Sequence, residues 1–172
     1  MRKFAAFAIL IFCFILFSCA DDTADIIEIN IDVQDLFNAI RGQIDFSEHD
    51  DHGYDEFSAE QIKYVLGIPE ENIVQIIVIK KVDFNNAFNE EILILAETEN
   101  NDKAKEVQAK LEKYKEQKLK TLTDYTVEGN EAQYWLVDES EIVVEQRYVF
   151  WVVDGRRREI NAIISQYIED HK

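Results

Sequence analysis

Two short segments limit what this chain can fold into. IIVI (76–79) and VFWVV (149–153) are apolar at odd and even positions alike. A strand places successive side chains on opposite faces of its sheet, so a half-exposed strand alternates apolar with polar residues. These two do not alternate. The sheet holding them therefore has both faces covered, or lends one face to a partner. Cover from within the chain, with the N-terminal helices on one face, is the expectation, because large exposed apolar patches are rare.

The rest of the chain supplies candidate cover. Val33, Leu36, Phe37, Ile40 and Ile44 recur at helical spacing between residues 31 and 46. A second, shorter helix is framed by Ser58 and Gln61 as a capping box, with Gly67 at its C-terminal end and Pro69 beyond. Strands are expected over 73–82 and 91–98, joined by a loose hairpin through DFNNAFNE. A long helix follows over about 101–120, its apolar stripe formed by Ala104, Val107, Leu111 and Tyr114 and closed by Leu119 or Leu122. Two more strands are read near 134–138 and 140–146, then a strong one over 148–153. Asp154-Gly155 ends it, before a terminal helix carrying Ile160, Ile163, Ile164, Tyr167 and Ile168. The order, two helices and then two ββα units, predicts an α+β single domain. Its antiparallel sheet of about four strands carries the helices packed on it, and the two units suggest an internal pseudo-repeat.

The N-terminus reads as a targeting device. Arg2 and Lys3 precede 14 consecutive apolar residues, Phe4–Phe17. Spanning a bilayer takes about 20 such residues, whereas a signal-peptide core takes about 7–15. Leu16, Phe17 and Ser18 then lead into Cys19, and this resembles the lipobox of bacterial lipoproteins, although Phe17 is bulkier than those proteins usually carry there. The resemblance implies a diacylglycerol on the Cys19 sulfur and cleavage between Ser18 and Cys19. The alternative is an uncleaved anchor with an incidental cysteine. The expected organisation is a lipoprotein signal peptide (1–18), the lipidated cysteine with an acidic spacer (19–30) and one domain (31–172). Cleavage would remove Cys13, leaving no thiol but the lipidated one and no possible disulfide, so a core alone must hold the domain.

Charge narrows the partners. The chain carries a formal net charge of −17, and losing Arg2 and Lys3 takes it to −19. Nucleic-acid binding rests on neutralising phosphates with Lys and Arg, and adsorption to anionic headgroups needs the same residues, so neither suits this surface. The expected location is the extracytoplasmic face of a bacterial cell membrane. The expected membrane contact is the lipid at Cys19, with a protein or cell-wall component as possible partner.

The lipobox, a helix ending in Tyr64–Ile68, the strand pairs, the Lys/Glu-rich helix and RYVFWVV (147–153) together resemble an uncharacterised family. Its members are small lipoproteins of anaerobic Gram-positive bacteria, known only as carrying a domain of unknown function. The resemblance covers most of the chain after Cys19 and implies a location and a fold, but no activity. Arg156–Arg158 stand where the family usually carries polar or acidic residues.

Few residues offer chemistry. EHDDHGYDE (48–56) contains the plausible ligands His49, Asp51, His52 and Asp55, with imidazole suiting Zn, Cu or Ni. As a calcium loop starting at Glu48 it would put Gly53 at position 6 but Ala59 at position 12, where a bidentate Glu is needed, so that reading fails. A solvated acidic loop is preferred over a metal site, and binding of a metal or small ligand there is the alternative function. No phosphate-binding glycine loop, nucleophile elbow or metalloprotease pattern occurs, and His171 lies in the tail. Glu70-Glu71 and Glu90-Glu91 should point apart and be solvated. No catalytic residue, cofactor or metal site is assigned.

The positive charge that exists is concentrated. Seven lysines lie between Lys103 and Lys120, and Arg156–Arg158 open the last helix, where the macrodipole disfavours cations. The arginines either pair with the chain's own acids, which is preferred, or serve a partner. Trp135, Tyr148 and Trp151 are interface anchors or core. The leading expectation is a non-enzymatic interaction module acting through a sheet face or its Lys/Arg-bearing helices.

Overall fold

The structure, a computed structural model, describes residues 28–46, 55–83, 86–124 and 130–172. Its elements in chain order are α1 (Val33–Arg41), β1 (Asp55–Glu56) and α2 (Ala59–Gln61), the last running on into a π-helical turn, Ile62–Leu66. Then come a 3-10 turn (Glu70–Asn72), β2 (Gln75–Asp83), β3 (Asn86–Glu97) and α3 (Asn101–Asp124). The chain closes with α4 (Asn130–Asp138), β4 (Ile142–Glu145), β5 (Tyr148–Val153) and α5 (Arg157–Asp170). The strands form one antiparallel sheet in the order β1-β2-β3-β5-β4, so the expected α+β class holds with a fifth, two-residue strand added at one edge.

Both faces of this sheet are covered, and that accounts for the strands' missing alternation. On one face Ile77, Ile79, Leu93, Leu95, Tyr148, Phe150 and Val152 pack against α1, α5 and the segment through Ile29 and Ile31. On the other, Val78, Ile92, Ile94, Ala96, Val149, Trp151 and Val153 meet α3, α4 and the Ile62–Ile68 turn. The sheet face is therefore closed as a docking surface. Burying a Leu, Ile or Phe side chain contributes about 1.5–3 kcal/mol each, so two such layers supply a core without a disulfide.

Local signals explain where the helices start and stop. The Asp32 carboxylate caps α1, accepting from the Gln34 and Asp35 amides at 2.8 and 3.0 Å. Ser58 and Gln61 form the reciprocal capping box. Gly67 adopts φ +68° beyond the π-helical turn, a left-handed conformation that glycine takes without a Cβ penalty.

Three expectations need correction. Residues 134–138 are helical, not extended: Gln133 and Val137 are buried one helical turn apart, and Val137 packs on the core. DFNNAFNE is no loose connection, since β2 reaches Asp83 and β3 begins at Asn86. The two ββα units are not a rotational repeat. Their central strands pair antiparallel, Ile94 opposite Trp151 with both side chains on one face, but α3 covers that face and α5 the other. No two-fold rotation places both helices correctly.

Candidate functional site

The end of the sheet where β4 turns into β5 is tied together by three consecutive side chains. The hairpin is a two-residue turn at Gln146-Arg147, with Gln146 held at φ 54°. Gln146 Oε1 accepts from the Ile29 amide at 3.0 Å. The Arg147 guanidinium donates to Glu28 at 2.9 Å, to Asn30 at 3.1 Å and to Glu97 at 2.9 Å, and lies over the Tyr148 ring. The buried Tyr148 hydroxyl accepts from the Ile31 amide at 2.8 Å and donates to the Ile31 carbonyl at 3.2 Å. Residues 28–31, which the sequence reading divides between spacer and domain, are thus fastened along this turn, and Ile29 is fully buried.

A second cluster lies under α3 near its C-terminal half. Glu90, on β3, pairs with Lys80 of β2 at 2.8 Å and with Lys118 of α3, while Gln133 of α4 donates to the Glu90 carbonyl at 2.7 Å. All three charged side chains are mostly buried, at 13, 19 and 10% exposure. Burial pushes the Lys118 ammonium below the usual lysine range against the opposing pull of Glu90. Burial, helped by the Glu90 charge, raises Tyr114 beyond its normal range. Glu90 and Glu91 do point apart, but neither is merely solvated, since Glu91 faces Lys81 across the strands at 3.6 Å. This cluster fastens helix to sheet.

The remaining positive charge divides into engaged and exposed groups. Arg156 makes a two-bond pair with the buried carboxylate of Asp154, both contacts at 3.1 Å, and donates to the Asp45 carbonyl at 2.7 Å. That network offsets its unfavourable place at a helix start. Arg157 reaches Glu139 at 3.2 Å, and Arg158 is exposed. On α3, Lys103 pairs with Glu106, and Lys115 donates to the Asp138 and Ser140 carbonyls at the end of α4, where a cation complements the dipole. Lys105, Lys110, Lys113 and Lys120 remain exposed.

The aromatic candidates separate cleanly. Trp151 and Tyr148 are fully buried, the Trp151 indole donating to Ser140 Oγ at 2.9 Å. Trp135, on α4, is 58% exposed, with Tyr134 edge-on beside it. Tyr64 is also exposed, with the Lys63 ammonium over its ring. Cys19 and residues 47–54, including His49, Asp51 and His52, lie outside the described residues. Asp55 and Glu56 are exposed on β1, and His171 Nδ1 lies 2.7 Å from the Tyr167 carbonyl. No group of three metal-ligating side chains occurs among the described residues, and no helix among them is long and apolar enough to cross a membrane.

A family model described as "Domain of unknown function (DUF4358)" matches residues 47–154, well over half of the chain. The chain belongs to this family. The DUF4358 span runs from before β1 to Asp154, so it holds the whole sheet and the α2, α3 and α4 layer, whereas α1 and α5 lie outside it. Comparison with curated proteins and with solved structures finds no match.

Proposed function

We propose that this DUF4358 protein is a lipid-anchored, extracytoplasmic interaction module of a bacterial cell envelope, without catalytic activity. The observation that carries the reading is the LFSC sequence at 16–19 behind 14 apolar residues, too few to span comfortably and followed at once by an acidic spacer. Two acyl chains would hold the protein firmly, because each buried methylene contributes about 0.8 kcal/mol. The family's membership among small lipoproteins of anaerobic Gram-positive bacteria is part of the same reading.

With the sheet faces closed, the layer formed by α3 and α4 is the interaction surface this reading favours. Trp135 is the large aromatic left exposed there, and aromatic residues are enriched among the side chains that dominate binding energy. The exposed lysines of the adjoining α3 would suit an acidic partner. The test is crosslinking in cells of the native protein, Trp135→Ala and Cys19→Ser. The reading expects Cys19→Ser to leave the membrane fraction, and Trp135→Ala to stay there while losing its crosslinked species. Membrane retention of Cys19→Ser would sink the anchor, and unchanged crosslinks in Trp135→Ala would sink the surface.

A further inference from the structure

Helix α3 runs the height of the sheet and serves as a ruler. Its first turns lie at the end where β3 finishes: Glu106 meets Asn72 at 3.0 Å, and Thr98, next to the helix start, donates its amide to the Arg147 carbonyl at 2.9 Å. Its later turns lie at the other end, where Lys118 meets Glu90. The N-terminal segment enters at the first of these ends, fastened through Glu28, Ile29, Asn30 and Ile31 to the Gln146–Tyr148 turn. Lys172, after the last helix, lies within electrostatic reach of Glu145 at the same turn.

From this geometry, and resting on the lipid-anchor reading above, we infer that the Gln146-Arg147 end of the domain faces the bilayer and the C-terminal end of α3 points away from it. Eight residues lie between Cys19 and Glu28, so nine residue steps join them. At about 3.3–3.6 Å per residue they reach about 30 Å at most, so the fastened end cannot stray far from the lipid surface. A longer tether, or one entering mid-domain, would leave the orientation free. The facing end also carries Glu28, Glu99, Glu145, Glu169 and Asp170. Most of its cations are engaged, Arg147 with Glu28 and Glu97, Lys172 with Glu169 and Lys103 with Glu106, which leaves Lys105 exposed among these carboxylates. Carboxylates repel anionic headgroups over about 10 Å at 0.1 M salt, so this end stands off an anionic bilayer instead of lying on it. The far end is thereby presented to envelope partners.

The experiment uses the full lipidated protein purified from membranes, carrying one fluorophore on Glu99→Cys or on Thr121→Cys, both exposed positions at opposite ends of α3. Energy transfer is measured to an acceptor lipid in phosphatidylcholine vesicles, with and without phosphatidylglycerol. The two labels lie 22 residues apart, and the 20 helical steps from Asn101 to Thr121 rise about 30 Å, so transfer from position 99 is expected to exceed that from 121 by about twofold or more. Phosphatidylglycerol at low salt should lower transfer from position 99, and added salt should restore it. Protein bound to vesicles with equal transfer from both sites, or more from 121, overturns the orientation alone. Transfer from position 99 that rises with phosphatidylglycerol overturns the stand-off. Protein that fails to bind vesicles, matching Cys19→Ser, overturns the anchor reading and the orientation with it.

Discussion

The hydroxyl of Tyr148 gives the sharpest test of how residues 28–31 are held. It satisfies both backbone groups of Ile31, accepting from the amide at 2.8 Å and donating to the carbonyl at 3.2 Å. Ile31 is 2% exposed and Tyr148 fully buried, so water cannot replace either bond. Tyr148→Phe keeps the ring and its stacking on Phe150, whose centroid is 6.3 Å away with planes 4° apart. Only the hydrogen bonds are lost. An orphaned buried polar group costs about 1–3 kcal/mol, and with two such groups sharing one site the expected loss is about 2–4 kcal/mol. At about 2–4 °C per kcal/mol for a chain of this size, the melting temperature should fall by about 4–16 °C. The assay is urea and thermal unfolding of the chain from Ala20, with amide hydrogen exchange read at Ile31. A loss under about 0.5 kcal/mol, with the Ile31 amide still protected, would refute the claim that this hydroxyl latches the segment.

Other outcomes follow from the same structure. Trp151→Ala should cost about 3–5 kcal/mol because it empties a fully buried site, whereas Trp135→Ala should change stability by no more than about 0.5 kcal/mol; paired urea titrations read both. Gly67→Ala meets open space but forces φ +68° on a residue with a Cβ, so unfolding should show a loss of about 1 kcal/mol without misfolding. Glu90→Gln leaves Lys80 and Lys118 desolvated without their shared counter-charge, and about 2–3 kcal/mol should be lost, below the 3–5 of a fully buried pair. Lys118 is depressed in the folded state, so the unfolded chain binds more protons just below the free lysine value of 10.5. Stability should therefore gain a Lys118 contribution as pH rises through that window, and Lys118→Met should remove that gain from the pH profile of unfolding.

Much of the architecture was legible because its signals are local. The α1 stripe, the Ser58–Gln61 capping box, the Gly67 cap and the apolar face of α3 all operate within one or two helical turns. The two-faced strands also told the truth about their surroundings, since Ile76–Ile79 and Val149–Val153 need cover on both sides. Helix α4 reads as a strand because QYWLV is rich in residues that favour strands, while its decisive feature is Gln133 and Val137 sharing one buried face. Strand β1 is only two residues long and exposed, so no burial pattern marks it.

The contacts that organise the possible site were illegible for a different reason. Glu90 and Lys118 are 28 residues apart, and Ile31 and Tyr148 are 117 apart. Nothing in either local sequence announces a partner, and Glu90 beside Glu91 reads as half of an ordinary surface pair. Arg156 reads as a cation in the wrong place until Asp154 and the Asp45 carbonyl are seen around it. The exposed Trp135 and the buried Trp151 are chemically alike in sequence, and only packing separates core from candidate anchor.

The anchor at Cys19 underlies the location, the orientation and the choice of partners. It is tested most directly by intact-mass spectrometry of the membrane-fraction protein beside a Cys19→Ser variant. The account predicts a native chain beginning at Cys19 with the added mass of acyl chains, and a variant lacking that mass. A native chain of full length and unmodified mass would contradict it.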